Sequence, residues 1–137
     1  MKEFTYDLIE VSKTAEKVIT SLKSKLVLCY GTMGVGKTTL IMEIARQLGV
    51  KEPMQSPSYG IVNEYQAGKE KFYHIDLYRL NSLEEAIDVG IEEYLNGKTW
   101  CFIEWPEIVE EITDNFTSKL ILTKNKNLSR NLIIKEI

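Results

Sequence analysis

Cysteine, proline and histidine are all scarce in this chain of 137 residues: two, three and one respectively. Cys29 and Cys101 each fall inside an apolar run, with neither C-x-x-C nor metal-ligand spacing. They read as buried core thiols, which excludes a disulfide framework or a zinc site built on them. Long hydrophobic runs are lacking too. No segment approaches the roughly 18 apolar residues of a membrane span, and Met1-Lys2-Glu3-Phe4-Thr5-Tyr6-Asp7 is not a signal peptide, so a cytoplasmic protein with no membrane association is expected. Basic charge is not in excess: the net charge of −3 argues against a surface built to hold a phosphate backbone. Repeats and low-complexity stretches are absent. What is present, 44% hydrophobic and 27% charged residues, is the composition of a globular protein with one core, a single domain over residues 1–137.

One motif stands out. Gly31-Thr32-Met33-Gly34-Val35-Gly36-Lys37-Thr38 fits G-x-x-x-x-G-K-[ST] at every fixed position. Leu26 to Tyr30 before it is an apolar run suited to a buried strand, and Leu40, Ile41, Ile44, Ala45 and Leu48 after it recur at helical spacing. Strand, glycine loop and helix are the parts of a phosphate-binding P-loop in the required order. Glycines let backbone N–H groups turn inward as an anion nest, and the helix N-terminus adds its positive dipole end. The nucleotide-binding set is therefore Gly31, Met33, Gly34, Val35, Gly36, Lys37, Thr38 and Thr39. Lys37 reaches the β/γ-phosphates as a catalytic cation, and the Thr38 hydroxyl sits on Mg²⁺. The chain is too short for a P-loop domain plus a separate catalytic domain.

Elsewhere, Lys2 to Ile9 reads as an edge strand, with Ser12 as N-cap of a helix whose Ala15, Val18, Ile19 and Leu22 share a face. Gly49 offers the P-loop helix a stop, and Pro53 and Pro57 mark a loop over 51–58. Tyr59–Gln66 and Lys71–Leu77 form a hairpin across a four-residue turn, Ala67 to Glu70. Ser82-Leu83-Glu84-Glu85 is a capping box for a helix that breaks near Gly90 and resumes through Tyr94. Thr99–Glu104 is a short strand, a short helix follows Pro106, and Leu120–Thr123 with Asn131–Ile137 closes the chain as a hairpin. The pattern is an α/β fold, a P-loop NTPase-like three-layer sandwich with a mixed, mainly parallel sheet and two hairpins.

A nucleotide site also needs an acid, which normally ends a neighbouring strand. Asp76 ends Phe72-Tyr73-His74-Ile75 and Glu104 ends Trp100-Cys101-Phe102-Ile103; each could instead be the solvated first residue of a loop. His74, the one histidine, shares a strand face with Asp76, although a lone strand histidine is usually structural. Arg79 could pair with a carboxylate or a phosphate, or only at the surface. Trp105 could cover the nucleotide or fill core.

Taken together, GTMGVGKTT (31–39), SPSY (56–59), HIDLYRL (74–80) and IEWP (103–106) resemble the TsaE family in order and spacing, over nearly the whole chain. The resemblance implies an ATPase that binds ATP and Mg²⁺, hydrolyses ATP weakly and acts with TsaB and TsaD in threonylcarbamoyl-adenosine formation, meeting tRNA indirectly through that complex. It implies Thr38 and Glu104 as Mg²⁺ ligands, Asp76 as a catalytic or water-positioning acid, and Ser56 and Ser58 in a switch loop that senses nucleotide state. Ser58 stands where the family usually has threonine; the hydroxyl survives.

Three rivals compete with this reading. A small-molecule kinase shares the P-loop but usually needs a lid with several arginines, and this chain has only Arg46, Arg79 and Arg130, widely separated. A GTPase needs N/T-K-x-D, whereas Thr123-Lys124-Asn125-Lys126 ends in lysine. An interaction module without hydrolysis is disfavoured by the intact Lys37, Thr38, Asp76 and Glu104 set.

Overall fold

The structure, a computed structural model, describes residues 1–54, 61–113 and 117–136. One seven-stranded sheet runs through it, with strands β1 (Lys2–Tyr6), β2 (Leu26–Tyr30), β3 (Val62–Ala67), β4 (Glu70–Asp76), β5 (Trp100–Glu104), β6 (Ser118–Lys124) and β7 (Arg130–Glu136) in the order β1-β7-β6-β2-β5-β4-β3. Among the described residues three α-helices accompany it, α1 (Val11–Ser21), α2 (Lys37–Leu48) and α3 (Leu83–Asp88), with 3₁₀ turns at Leu8–Glu10, Ile91–Tyr94 and Pro106–Ile112. None of the described helices is long and apolar enough to cross a membrane.

The sheet is mixed but not mainly parallel, which corrects the sequence reading. β6-β2-β5-β4 form a parallel centre, and each edge is an antiparallel addition, β1 on β7 on β6 at one side and β3 on β4 at the other. The two hairpins and the pairing of β1 onto β7 produce this balance, three antiparallel pairs against three parallel ones.

Strand alternation splits the core in two. Val27, Cys29, Phe72, Phe102 and Leu120 face α1 and α2, where Ala15, Val18, Leu40, Ile41 and Ile44 meet them. Leu26, Leu28, Ile75, Cys101 and Ile103 face the other way, onto Ala86, Ile91 and Val109. A central strand buried on both faces must be apolar throughout, which is why Leu26 to Cys29 read as an unbroken run. Burial pushes the Cys101 thiol up to about 12, so it is an inert core group.

Local details differ where tertiary contacts compete. Helix α1 begins before Ser12, because the 3₁₀ turn runs straight into it and the Glu10 carboxylate accepts from the Asp7 N–H at 3.0 Å. Ser12 ties α1 to α2 instead, its carbonyl accepting from Gln47 Nε2 at 2.8 Å. The β3–β4 turn is tighter than expected: Ala67 pairs with Glu70, leaving Gly68 and Lys69 as a two-residue loop. Ser82 caps α3 through the Glu85 N–H at 3.3 Å, and Gly90 marks the break before Ile91–Tyr94.

Candidate functional site

β2 lies between β5 on one side and β6 on the other, so the crossovers diverge at its C-terminal end. In open α/β sheets such a switch point leaves a crevice outside the strand ends. The loop 31–36 fills the gap between β2 and α2 here, and Asp76 and Glu104 stand beside it as register partners ending β4 and β5. The resulting groove, about 300 Å³, is lined by residues that include Gly34, Gly36, Thr38, Asp76, Glu104 and Trp105.

Gly31 is required by close approach: a Cβ there would sit 2.7 Å from Val35 Cγ1 and 2.9 Å from the Leu122 carbonyl oxygen. Gly36 opens α2 at φ 106°, a conformation other residues rarely adopt, and the first residues of the helix, Lys37 to Thr39, line the groove. Val35 anchors the loop with a buried side chain. Met33 and Thr39 line the groove.

Lys37 is 5% exposed. Its ammonium donates to the Gly31 carbonyl at 2.5 Å and lies 3.7 Å from the centroid of the Trp105 ring. Burial pulls its pKa below the ordinary value, against the opposing pull of Glu104 and, more weakly, Asp76. Trp105 reaches it because the backbone turns into the left-handed region (φ 56°) directly after β5, a strained conformation for a tryptophan. Tyr78 packs against the same indole with ring centroids 5.1 Å apart.

Thr38 donates its hydroxyl to both oxygens of Glu104, at 3.0 and 2.9 Å. From beneath, the fully buried His74 donates Nε2–H to Glu104 Oε2 at 2.6 Å. Asp76 accepts the Tyr78 N–H at 2.9 Å, and burial raises its pKa above the ordinary carboxylate value. A hydroxyl and two carboxylates lining one groove form an all-oxygen donor set, which fits a hard cation such as Mg²⁺.

The fold thus gathers Lys37, Thr38, Asp76, Glu104 and Trp105 around one groove and places His74 immediately below it. Arg79 is not brought in: it is exposed and does not line the groove. Ser56 and Ser58 lie outside the described residues. Arg130 takes the place expected of Arg79. It is 8% exposed, donates Nε–H to the Val35 carbonyl at 3.1 Å, bonds the Leu128 carbonyl and lines the groove with Leu8 and Tyr78. No sequence signal marks Arg130 or Leu8, since only the β7-β6-β2 order carries Arg130 to the loop; Tyr78 could have been read from its place two residues after Asp76.

The sequence profile described as "Threonylcarbamoyl adenosine biosynthesis protein TsaE" matches residues 5–132. The proteins named tRNA threonylcarbamoyladenosine biosynthesis protein TsaE from Synechocystis and from Borreliella burgdorferi are 35% and 40% identical to it. Their matches cover 82% and 73% of this chain and 74% and 79% of theirs. The namesake from Bacillus subtilis is 38% identical over 59% of this chain, a match spanning half of that relative's length. Among solved structures, YdiB from Bacillus subtilis shares the fold with a TM-score of 0.76 at 24% identity, covering 99% of this chain and 86% of that one. With residues 5–132 matched by one profile, and with two relatives 35% and 40% identical over 82% and 73% of its length, the chain belongs to the TsaE family.

Proposed function

We propose that this chain is a Mg²⁺-dependent P-loop ATPase of low intrinsic activity, a P-loop NTPase-type three-layer sandwich. It serves threonylcarbamoyl-adenosine modification of tRNA together with TsaB and TsaD, in the cytoplasm, and meets tRNA through that complex. The observation that carries the reading is the Thr38–Glu104 contact at the mouth of the glycine loop, with Lys37 alongside. A hydroxyl at the start of α2 paired with a strand-end carboxylate is what a metal–triphosphate needs between its phosphate and metal ends.

The roles follow from position. Backbone N–H groups of the loop and of α2 take the phosphate oxygens, and Lys37 leaves the Gly31 carbonyl and Trp105 to meet the β/γ-phosphates. Thr38 and Glu104 would hold Mg²⁺, which when bound neutralises phosphate charge. Asp76 faces the groove with one oxygen held by the Tyr78 N–H, and its raised pKa makes it a better acceptor for a water it orients. A small-molecule kinase draws less support: Arg130 is the one arginine among the described groove residues, and two backbone carbonyls already engage its guanidinium.

A domain of this size converts nucleotide state into a shape read by a partner more readily than it modifies tRNA itself. The segment carrying Ser56 and Ser58 is the proposed sensor. ATP hydrolysis measured for the chain alone, and then with TsaB, TsaD and tRNA, tests the reading. Stimulation by the full set supports it; transfer of phosphate to a small acceptor would favour the kinase, and no nucleotide binding at all would overturn both.

A further inference from the structure

Among the described residues, His74 Nδ1 and Asn63 Nδ2 are buried side-chain nitrogens with no hydrogen-bond partner. They are neighbours. Asn63 on β3 and His74 on β4 are register partners of an antiparallel pair, so their side chains leave the sheet on the same face with Cβ atoms roughly 5 Å apart. Their needs are complementary. His74 already commits Nε2–H to Glu104, and a neutral imidazole that donates there carries a lone pair at Nδ1. The amide nitrogen of Asn63 is a donor in want of an acceptor.

We propose that Asn63, His74 and Glu104 form one positioning chain, in which Asn63 holds His74 in its Nε2–H tautomer and His74 holds the carboxylate of Glu104 for the metal. The inference rests on the reading of Glu104 as a Mg²⁺-holding residue. Its logic lies in what Thr38 must do. In the structure the one proton of the Thr38 hydroxyl is shared between both Glu104 oxygens, and with a lone pair turned to a cation it could be donated to one of them at most. The imidazole then remains to fix the carboxylate rotamer, and it is well placed to do so, being fully buried and bonded at 2.6 Å. An imidazole can orient a carboxylate only if its own tautomer is set, and the partner available for that lies on the edge strand β3. The metal side of the groove is thereby preorganised from a strand that contributes nothing to its lining.

The chain holds a single histidine, so the ¹⁵N spectrum of its imidazole is free of overlap. Nε2 should be protonated, and Nδ1 unprotonated but hydrogen-bonded; Asn63→Leu should move the Nδ1 resonance toward that of a free imine nitrogen. Affinity for ADP, titrated with and without Mg²⁺, separates positioning from packing. Without Mg²⁺, His74→Phe, His74→Gln and Asn63→Leu should all bind ADP like the parent chain. With Mg²⁺, His74→Phe should lose about 10- to 100-fold, Asn63→Leu less, and His74→Gln should recover most of the loss because its amide N–H can still donate to Glu104. If His74→Phe does not fold, the spectrum, His74→Gln and Asn63→Leu decide alone. A proton on Nδ1, full Mg²⁺ dependence in Asn63→Leu and His74→Phe, or equal losses in His74→Gln and His74→Phe would each overturn the chain. A parent protein whose ADP affinity ignores Mg²⁺ would overturn the metal reading itself and this inference with it.

Discussion

Removing Glu104 should damage the fold more than removing only its charge. The side chain is 3% exposed and accepts from the Thr38 hydroxyl and from His74 Nε2. In Glu104→Ala the Thr38 hydroxyl can turn to groove water, but the fully buried His74 loses the acceptor for its Nε2–H. An unsatisfied buried donor costs about 1–3 kcal/mol, and the void left by the truncated side chain adds to that, for a total of about 2–4 kcal/mol. At roughly 3–5 °C per kcal/mol for a domain of this length, the melting temperature should fall by roughly 6–20 °C. Glu104→Gln keeps the volume, accepts from His74 through its amide oxygen and donates to Thr38, so it should lie within about 1 kcal/mol of the parent. Both variants should lose Mg²⁺-dependent nucleotide affinity. Calorimetric unfolding with parallel nucleotide titrations separates the two effects. Equal melting temperatures for the two variants would refute the argument that His74 depends on this acceptor.

Lys37→Ala should weaken ATP binding by about 2–3 kcal/mol, roughly 30- to 160-fold, through loss of a charge-assisted phosphate contact, while circular dichroism stays unchanged; unaltered affinity would sink the P-loop assignment. Gly31→Ala should abolish nucleotide binding and lower stability, because the added methyl meets the backbone carbonyl of Leu122, and a urea-unfolding midpoint equal to the parent's would contradict the close approach. Asp76→Asn should reduce ATP turnover more than ATP affinity, and equal losses would put Asp76 in the metal shell. Asp76 also has a pH signature in the nucleotide- and metal-free protein. Its folded pKa lies above the ordinary 3.8, so the folded state binds the proton more tightly and stability falls as pH rises through that folded pKa. The asparagine variant should therefore be the more stable one at neutral pH, with an advantage that shrinks as pH falls toward 3.8; urea unfolding at several pH values measures it.

What could be read from the chain by itself was whatever neighbours in sequence decide. The strand–glycine loop–helix segment 26–48 is such a unit: an apolar strand, glycines at the turn and a helix are contiguous, so their local structure is written in one stretch of chain. The same holds for the turn at Gly68, the cap at Ser82 and the break at Gly90, where backbone preference acts within a few residues. Asp76 and Glu104 were legible because a carboxylate closing an apolar strand points to a strand end, though not to which end adjoins the loop. That question belongs to sheet order, which is set by long-range packing of both faces and leaves no local mark. Only the tertiary structure therefore decided that β5 stands beside β2 with β4 beyond it, and that Arg130, not Arg79, reaches the groove. It also decided that His74 lies under Glu104 with Asn63 beside it. Strand alternation put His74 and Asp76 on one face, but a partner 30 residues away becomes a 2.6 Å hydrogen bond only once the parallel register of β4 and β5 is formed.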